Sequence, residues 1–366
     1  MKKTLLEWYK SDSKIKNALA LFIMTIFMLA FIDIKNVRKV RDRLVSEGAS
    51  DKPIRLYWDI FFWYVVYGYD PSSYTEFHFI DKSSKERHTF VSYNEQILYA
   101  RSLNLKANTD VFDKKQNTYS YFKDFYHREQ IMIKTSDDKT KFDEFIGRHP
   151  KFFCKPFDGT SGRGTRLIDT KEKDPTEVFN DLISSGAYLL EELIVQCDEM
   201  AKFNSSSINT VRTALVNTQN GIEMLFAEIR CGRQGSIVDN GGSGGVLIPC
   251  DINTGRLCKY GFDNTGKKYT AHPDSGVVFE NFQIPRWQEI SDLSKKLMAM
   301  VPNLKYVGWD IAIGKDDLII VEGNSRPMFG GLQGMHQTGF KKELLELLKT
   351  DKIPEAFRTK QKEIFQ

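Results

Sequence analysis

The stretch Tyr306 to Ile313, followed after Gly314-Lys315-Asp316-Asp317 by Leu318 to Glu322, constrains this chain more than any other. Two apolar, β-branched runs around four turn-forming residues read as a β-hairpin. If the turn pairs Ile313 with Ile319, Asp310 stands directly opposite Glu322, with the two side chains on one face about 5 Å apart. Asn324 follows on that face by strand alternation. The neighbours Trp309, Ile311, Ile313, Ile319, Ile320 and Val321 are strongly apolar, and unpaired carboxylates buried among them would be expensive. Two carboxylates and an amide suit Mg²⁺ bridging phosphate oxygens. The solvent face of an edge hairpin would carry the same residues.

A second candidate begins at a short apolar strand, Phe152 to Pro156. Lys155 stands at its end, and Gly159, Thr160, Ser161, Gly162 and Gly164 follow. Glycines bring backbone N–H groups close to oxygen, hydroxyls donate further, and a lysine supplies a point charge, as a phosphate cradle requires. Gly164 is not followed by Lys and Ser or Thr, so this is no Walker loop, and no dinucleotide fingerprint fits. A plain turn would use the same glycines. In the glycine-rich middle, Arg212, Arg230 and Arg233 offer the bidentate fork that suits phosphate or carboxylate, as ordinary surface arginines also do. Leu189-Leu190-Glu191-Glu192-Leu193-Ile194 reads as an adenine-lining stretch or, more simply, as a lobe-connecting strand.

Other signals are structural. Thr210 to Asn217 and Glu223 to Arg230 form a hairpin around Asn220-Gly221. Asp174 caps a helix over Pro175 to Ser184, and Pro285 opens another carrying Ile290, Leu293, Leu297 and Val301. Helical spacing covers Ser92 to Leu103 and Phe112 to Phe125, whereas Asp51 to Gly68 suits helix or strand. Residues 232–245 hold six glycines and read as an irregular loop. His272 and His336 are read as capping or packing groups rather than acid–base catalysts. The expected class is α+β, in at least two lobes.

Composition narrows the function. With 52 basic and 48 acidic residues in 366, the net charge is +4, too even for an electrostatic nucleic-acid binder. Five cysteines without metal-ligand spacing point to a reducing cytoplasm. Ala18 to Ile32 is an uncharged run of 15 residues, short of the roughly 20 needed to span a bilayer. Packing on the protein body is expected. Peripheral attachment of residues 14–43 to the inner membrane face, through the run and its flanking Lys14, Lys16, Lys35, Arg38, Lys39, Arg41 and Arg43, is the other main reading; a true span is a third. The 46 aromatic residues are concentrated toward the N-terminus, which these motifs leave unexplained.

In order along the chain, these pieces resemble the ATP-grasp superfamily, and most closely its sugar-transfer-associated branch. Ser207-Ile208-Asn209-Thr210-Val211-Arg212 is similar to that branch's Asn-Thr-x-Arg strand. Ser236-Ile237-Val238-Asp239-Asn240 with Ser243-Gly244-Gly245 looks like its Val-Asp-Asn…Gly-Gly loop, and His272-Pro273, Gly276, Ile284-Pro285 and Gly308-Trp309-Asp310-Ile311-Ala312 fit its later signature. The resemblance covers about residues 50–350. It implies an ATP-grasp fold in which two α+β lobes clamp ATP, with an N-terminal helical extension. By it, Lys114 and Lys155 are phosphate-binding lysines, and Glu191, Glu192, Leu193 and Ile194 form the adenine hinge. Asp198 or Glu199 meets the ribose. Asp310, Glu322 and Asn324 are ligands of a pair of Mg²⁺ ions. No arginine precedes Asp310, so Arg212, Arg230 or Arg233, with Asn324, is left to neutralise the transferred phosphate.

The implied domains are an extension at 1–50, an aromatic-rich α/β region at 51–130, a small lobe at 131–195, a large lobe at 196–350 and a tail at 351–366. The implied reaction joins a carboxylate to an amine through an acyl phosphate, on a sugar or cell-envelope polysaccharide precursor. A kinase acting on a sugar or alcohol would use the same ATP residues, and a non-catalytic nucleotide-binding module is the third reading. The partner expected is a small molecule or glycan precursor, not nucleic acid.

Overall fold

The computed structural model of the chain describes residues 7–9, 11, 13–28, 33–105, 109–113, 115–157, 164–236 and 244–363. It opens with three helices, α1 (Lys14–Met28), α2 (Ile34–Ser46) and α3 (Pro53–Tyr67). Asp33 caps α2 by accepting from the Asn36 N–H at 3.0 Å. Pro53 starts α3, and Gly68, in the left-handed conformation that costs a glycine little, stops it. The ambiguous stretch 51–68 is therefore helical. Val37, Val40 and Leu44 of α2 pack on Leu56, Ile60 and Trp63 of α3, each set at helical spacing.

Tyr69, Tyr74, Phe77, Phe79 and Phe90 complete that core, largely edge to face. The Arg87 guanidinium lies over Trp63, Tyr74 and Phe79 and pairs with Asp59 at 2.9 Å. Much of the aromatic excess is thus accounted for. The α/β expectation for 51–130 is corrected: its described residues form helices until strand β1 (Gln130–Ile133) begins at its end. Among them is α4 (Tyr93–Leu103), closed by a reciprocal Ser92–Glu95 capping box. Phe112 to Phe125 is not one helix. Short helices run over Asp110–Asp113 and Lys115–Tyr121.

The small lobe is a four-stranded antiparallel sheet of β1, β2 (Lys151–Pro156), β3 (Arg166–Asp169) and β4 (Tyr188–Glu192), in the order β1-β4-β2-β3. Helices α5 (Lys139–Arg148) and α6 (Pro175–Ser185) supply Phe142, Phe145, Phe179 and Leu182 to its core. Asp174 caps α6 through the Thr176 and Glu177 N–H groups.

The large lobe is a seven-stranded antiparallel sheet. Its strands are β5 (Thr210–Thr218), β6 (Gly221–Cys231), β7 (Val246–Pro249), β8 (Gly261–Asp263), β9 (Lys268–Tyr269), β10 (Tyr306–Ile313) and β11 (Leu318–Asn324). They run in the order β11-β10-β5-β6-β7-β8-β9. Every residue of β10 is buried, because both faces are covered. On one side α7 (Trp287–Ala299) packs against Val211, Leu215, Val307 and Ile311. On the other, α4, α8 (Gly330–His336), α9 (Lys341–Thr350) and α10 (Glu355–Lys362) meet Ala214, Val216, Phe226 and Tyr306. Residues 351–363 are no loose tail: Phe357 of α10 is fully buried, and Gln361 donates to the Leu225 carbonyl at 2.6 Å.

Candidate active site

Strand register assembles the polar centre of the large sheet. Asp310 on β10 stands opposite Glu322 on β11 and opposite Arg212 on β5. Arg212 in turn faces Glu228 on β6, and Arg230 follows two residues on. The hairpin reaches this register by an unexpected route. At the turn Ile313 pairs with Leu318 rather than Ile319, and a bulge after Asp310 leaves Val321 unmatched, restoring Asp310 to Glu322. Asn324 stands opposite Gly308, on the face of Glu322 by alternation.

Asp310 is clamped. Arg212 donates to both its carboxylate oxygens, one through Nε and the other through Nη2 at 2.6 Å, and Arg230 donates to Oδ2 at 3.0 Å. Burial by itself would push the Asp310 carboxyl up, but the two guanidiniums hold it below the usual range. Glu228 shows the opposite balance. Its burial outweighs the pull of Arg230 and Arg212 and raises its pKa, and its Oε2 has no hydrogen-bond partner. Sequence reasoning missed Glu228, although two-residue alternation from Arg230 was a signal for it.

Glu322 is exposed and Asn324 half-buried, with the Asn324 Oδ1 accepting from the Arg326 N–H at 2.8 Å. Two carboxylates and an amide are hard oxygen donors that suit Mg²⁺, an ion that commonly takes one or two carboxylates and completes its shell with phosphate and water. Among the described residues no group of three or more His, Cys, Asp and Glu could hold a metal ion.

In the small lobe, the Lys155 Nζ donates to the Glu191 Oε2 at 2.6 Å. Glu191 also accepts from Gln130 at 2.6 Å and lies 3.5 Å from the Arg128 Nη2. Although Glu191 is buried, these partners, Lys155 foremost, bring its carboxyl down to about 2. Its side chain is therefore engaged with the lysine, while its strand is paired on both sides, with β1 and with β2. Arg128, also missed in the sequence, reaches across to β11, donating to the Ile320 carbonyl at 2.9 Å and the Val321 carbonyl at 3.4 Å. It links the lysine-bearing lobe to the strand of Glu322. Within the large lobe, just past the small lobe's last strand, the Cys197 N–H donates to the Ile313 carbonyl at 2.8 Å.

The remaining expected residues are dispersed. The Glu192 Oε2 accepts from the Glu129 N–H at 2.8 Å, Leu193 and Ile194 are half-buried, and Asp198 and Glu199 are exposed at the start of a short helix. Arg233 is held by Asp274 through two bonds of 2.7 Å, separate from the Arg212–Asp310–Arg230 cluster. His272 is buried against the Gly232 carbonyl at 3.1 Å, and burial lowers its pKa. Burial likewise brings His336 down to about 3, and its ring packs edge-on to Phe340. Gly164 has φ +76° and approaches Pro156 so closely that a Cβ would come within 2.8 Å of the ring. Lys114, Gly159, Thr160, Ser161 and Gly162 lie outside the described residues, as do residues 237–243 of the expected glycine loop. Phe112, two residues before Lys114, packs against Gly323 and Trp309.

The model of the sugar-transfer associated ATP-grasp family matches residues 94–349. No curated protein matches the chain. Among solved structures, the chain is similar to the ATP-grasp ligase PsnB complexed with a minimal precursor, at 15% identity over 71% of this chain and 70% of that one, with a TM-score of 0.42. It is also similar to N5-carboxyaminoimidazole synthetase from Staphylococcus aureus complexed with ADP, at 14% identity over 67% and 53%, TM-score 0.42. D-alanine–D-alanine ligase from Coxiella burnetii matches at 10% identity over 70% and 61%, TM-score 0.39. With its α+β architecture and the match over most of its length, the chain belongs to the sugar-transfer associated ATP-grasp family.

Proposed function

We propose that the protein is an ATP-dependent ligase that joins a carboxylate to an amine through an acyl phosphate. The acceptor is a sugar or cell-envelope polysaccharide precursor handled in the cytoplasm. The observation that carries the reading is the Arg212–Asp310–Arg230 cluster beside Glu322, linked through Arg128 to Lys155 and Glu191 of the facing lobe. Two carboxylates beside two guanidiniums are close to charge balance, so triphosphate and cations can enter together without leaving a buried charge uncompensated.

In this reading Lys155, with Lys114 and the glycine segment 159–164, neutralises ATP phosphates, and the backbone of 191–194 meets adenine. Asp198 or Glu199 holds the ribose. Asp310, Glu322 and Asn324 would hold Mg²⁺, which when bound offsets charge on the phosphate oxygens. Arg212 and Arg230 lie where a guanidinium released from Asp310 stabilises the transferred phosphoryl group as the acceptor carboxylate attacks in line. Catalysis by fixed charge fits a site whose polar groups are arginines, a lysine and carboxylates.

Incubation with Mg-ATP and candidate acids in the presence of hydroxylamine tests the proposal. Hydroxamate and free phosphate in equal amounts support an acyl phosphate. A stable phosphorylated acceptor without hydroxamate would make the protein a kinase, and nucleotide binding without turnover of any acceptor would make it a binding module.

A further inference from the structure

Helices α1 and α3 pack against each other and each carries two apolar faces. One face is buried: Ala20 of α1 joins the core formed with α4, α9 and α10, and Leu56, Ile60 and Trp63 of α3 join the aromatic core. The other is open. On α1, Ile15, Leu19, Phe22 and Ile26 recur at the four- and three-residue steps of a single helix line; on α3, Ile54, Trp58, Phe62 and Val66 form a slowly winding stripe. All eight are between 41% and 80% exposed. Of the seventeen exposed large hydrophobic residues among the described ones, nine fall between Ile15 and Val66. Scattered exposed hydrophobics need no explanation, but a clustered pair of stripes marks an interaction surface.

Charge identifies the occupant. Residues 14–67 hold 9 basic and 5 acidic side chains, a net of +4 in a chain whose total is +4. The rest of the sequence is thus balanced, and the excess of positive charge lies in the segment of α1, α2 and α3 that carries the apolar stripes. Lys14 and Lys16 flank the α1 line, Lys52 and Arg55 flank the α3 stripe, and Lys35, Arg38 and Lys39 lie on α2 beside them, all exposed. By contrast Arg41 and Arg43 are paired with Asp42 and Glu47 at 2.6 and 2.8 Å. Two copies meeting through this face would bring like charges together. An anionic lipid surface supplies the complementary sign, and apolar side chains with an indole at their centre enter the headgroup boundary readily. No described helix is long and apolar enough to cross a membrane, so the contact is lateral. The surface also lies before residue 94, where the family match begins.

We propose that the open faces of α1 and α3 form a docking surface for an anionic membrane, setting the ATP-grasp lobes at the lipid boundary. This rests on the helices alone and stands or falls separately from the ligase chemistry. The test is flotation of the full chain with vesicles of phosphatidylcholine alone or mixed with phosphatidylglycerol. The expected result is binding to the mixed vesicles only, weakening as salt rises from about 0.1 to about 0.5 M as screening requires. In the double variant Phe22→Ser, Trp58→Ser binding falls roughly tenfold or more, while ATP affinity in solution is unchanged. Absence of binding to the mixed vesicles overturns the proposal, as does undiminished binding by the variant. A stable dimer in light scattering that the double variant dissolves would assign the face to a second copy instead.

Discussion

Replacing Glu191 by Gln keeps the shape of the side chain and removes the charge that Lys155, Arg128 and Gln130 converge on. The native carboxyl is brought from its ordinary value near 4.5 to about 2. At about 1.36 kcal/mol per unit, the charged form is favoured by on the order of 3 kcal/mol in the folded state. Glu191 is almost fully buried, so solvent screening takes little from this figure. Its pKa is depressed by folding, so the contribution is fully present above the unfolded value near 4.5. It is lost as pH falls toward about 2, with roughly half gone by pH 3 on the same arithmetic. Urea unfolding followed by circular dichroism, on wild type and Glu191→Gln from pH 7 to pH 3, isolates the term because every other acid titrates in both proteins. The variant should be less stable by about 2–3 kcal/mol at pH 7, and the gap should narrow by about half at pH 3. A gap that stays constant across this range would refute the assignment. Because Lys155 loses its anchor, KM for ATP should rise in the same variant.

Three further expectations follow from the large sheet. Asp310→Asn leaves Arg212 and Arg230 without their counter-charge and should cost about 3–5 kcal/mol, whereas Glu228→Gln, at a carboxyl already pushed toward its neutral form, should change stability by less than about 1 kcal/mol; paired urea titrations compare them. Glu322→Ala, at an exposed side chain, should abolish Mg-ATP turnover while the circular dichroism spectrum and melting temperature stay unchanged. Gly323→Ala would put a Cβ 2.4 Å from Phe112 and 2.6 Å from Trp309, and overpacking of this kind costs about 1–3 kcal/mol, which should appear as a lowered melting temperature.

What was legible in the sequence was what strand and helix periods carry. The cap at Asp174 and the hairpin at Asn220-Gly221 could be read because local backbone chemistry specifies them, whereas the pairing of Asp310 with Glu322 was reached only because two departures cancelled. The aromatic stretch 51–68 could not be assigned, since an apolar run fully aromatic on several sides fits either period until its partners are known. The turn register was misjudged by one residue. A bulge at Val321 compensated, and nothing in the local sequence announces a bulge.

By itself, then, the chain's order of residues determined the α+β class and the acidic hairpin, because each depends on spacings of a few residues. Only tertiary structure decided which arginines share the site. Arg212 and Arg230 converge on Asp310, while Arg233, only three residues beyond Arg230, is taken by Asp274. It also decided that Glu191 holds Lys155 and that Arg128 bridges the lobes. Finally, it set helix α1 against α3, each with an apolar stripe left exposed. These outcomes depend on contacts between segments far apart in the chain, where a charge takes the nearest opposite charge the fold presents.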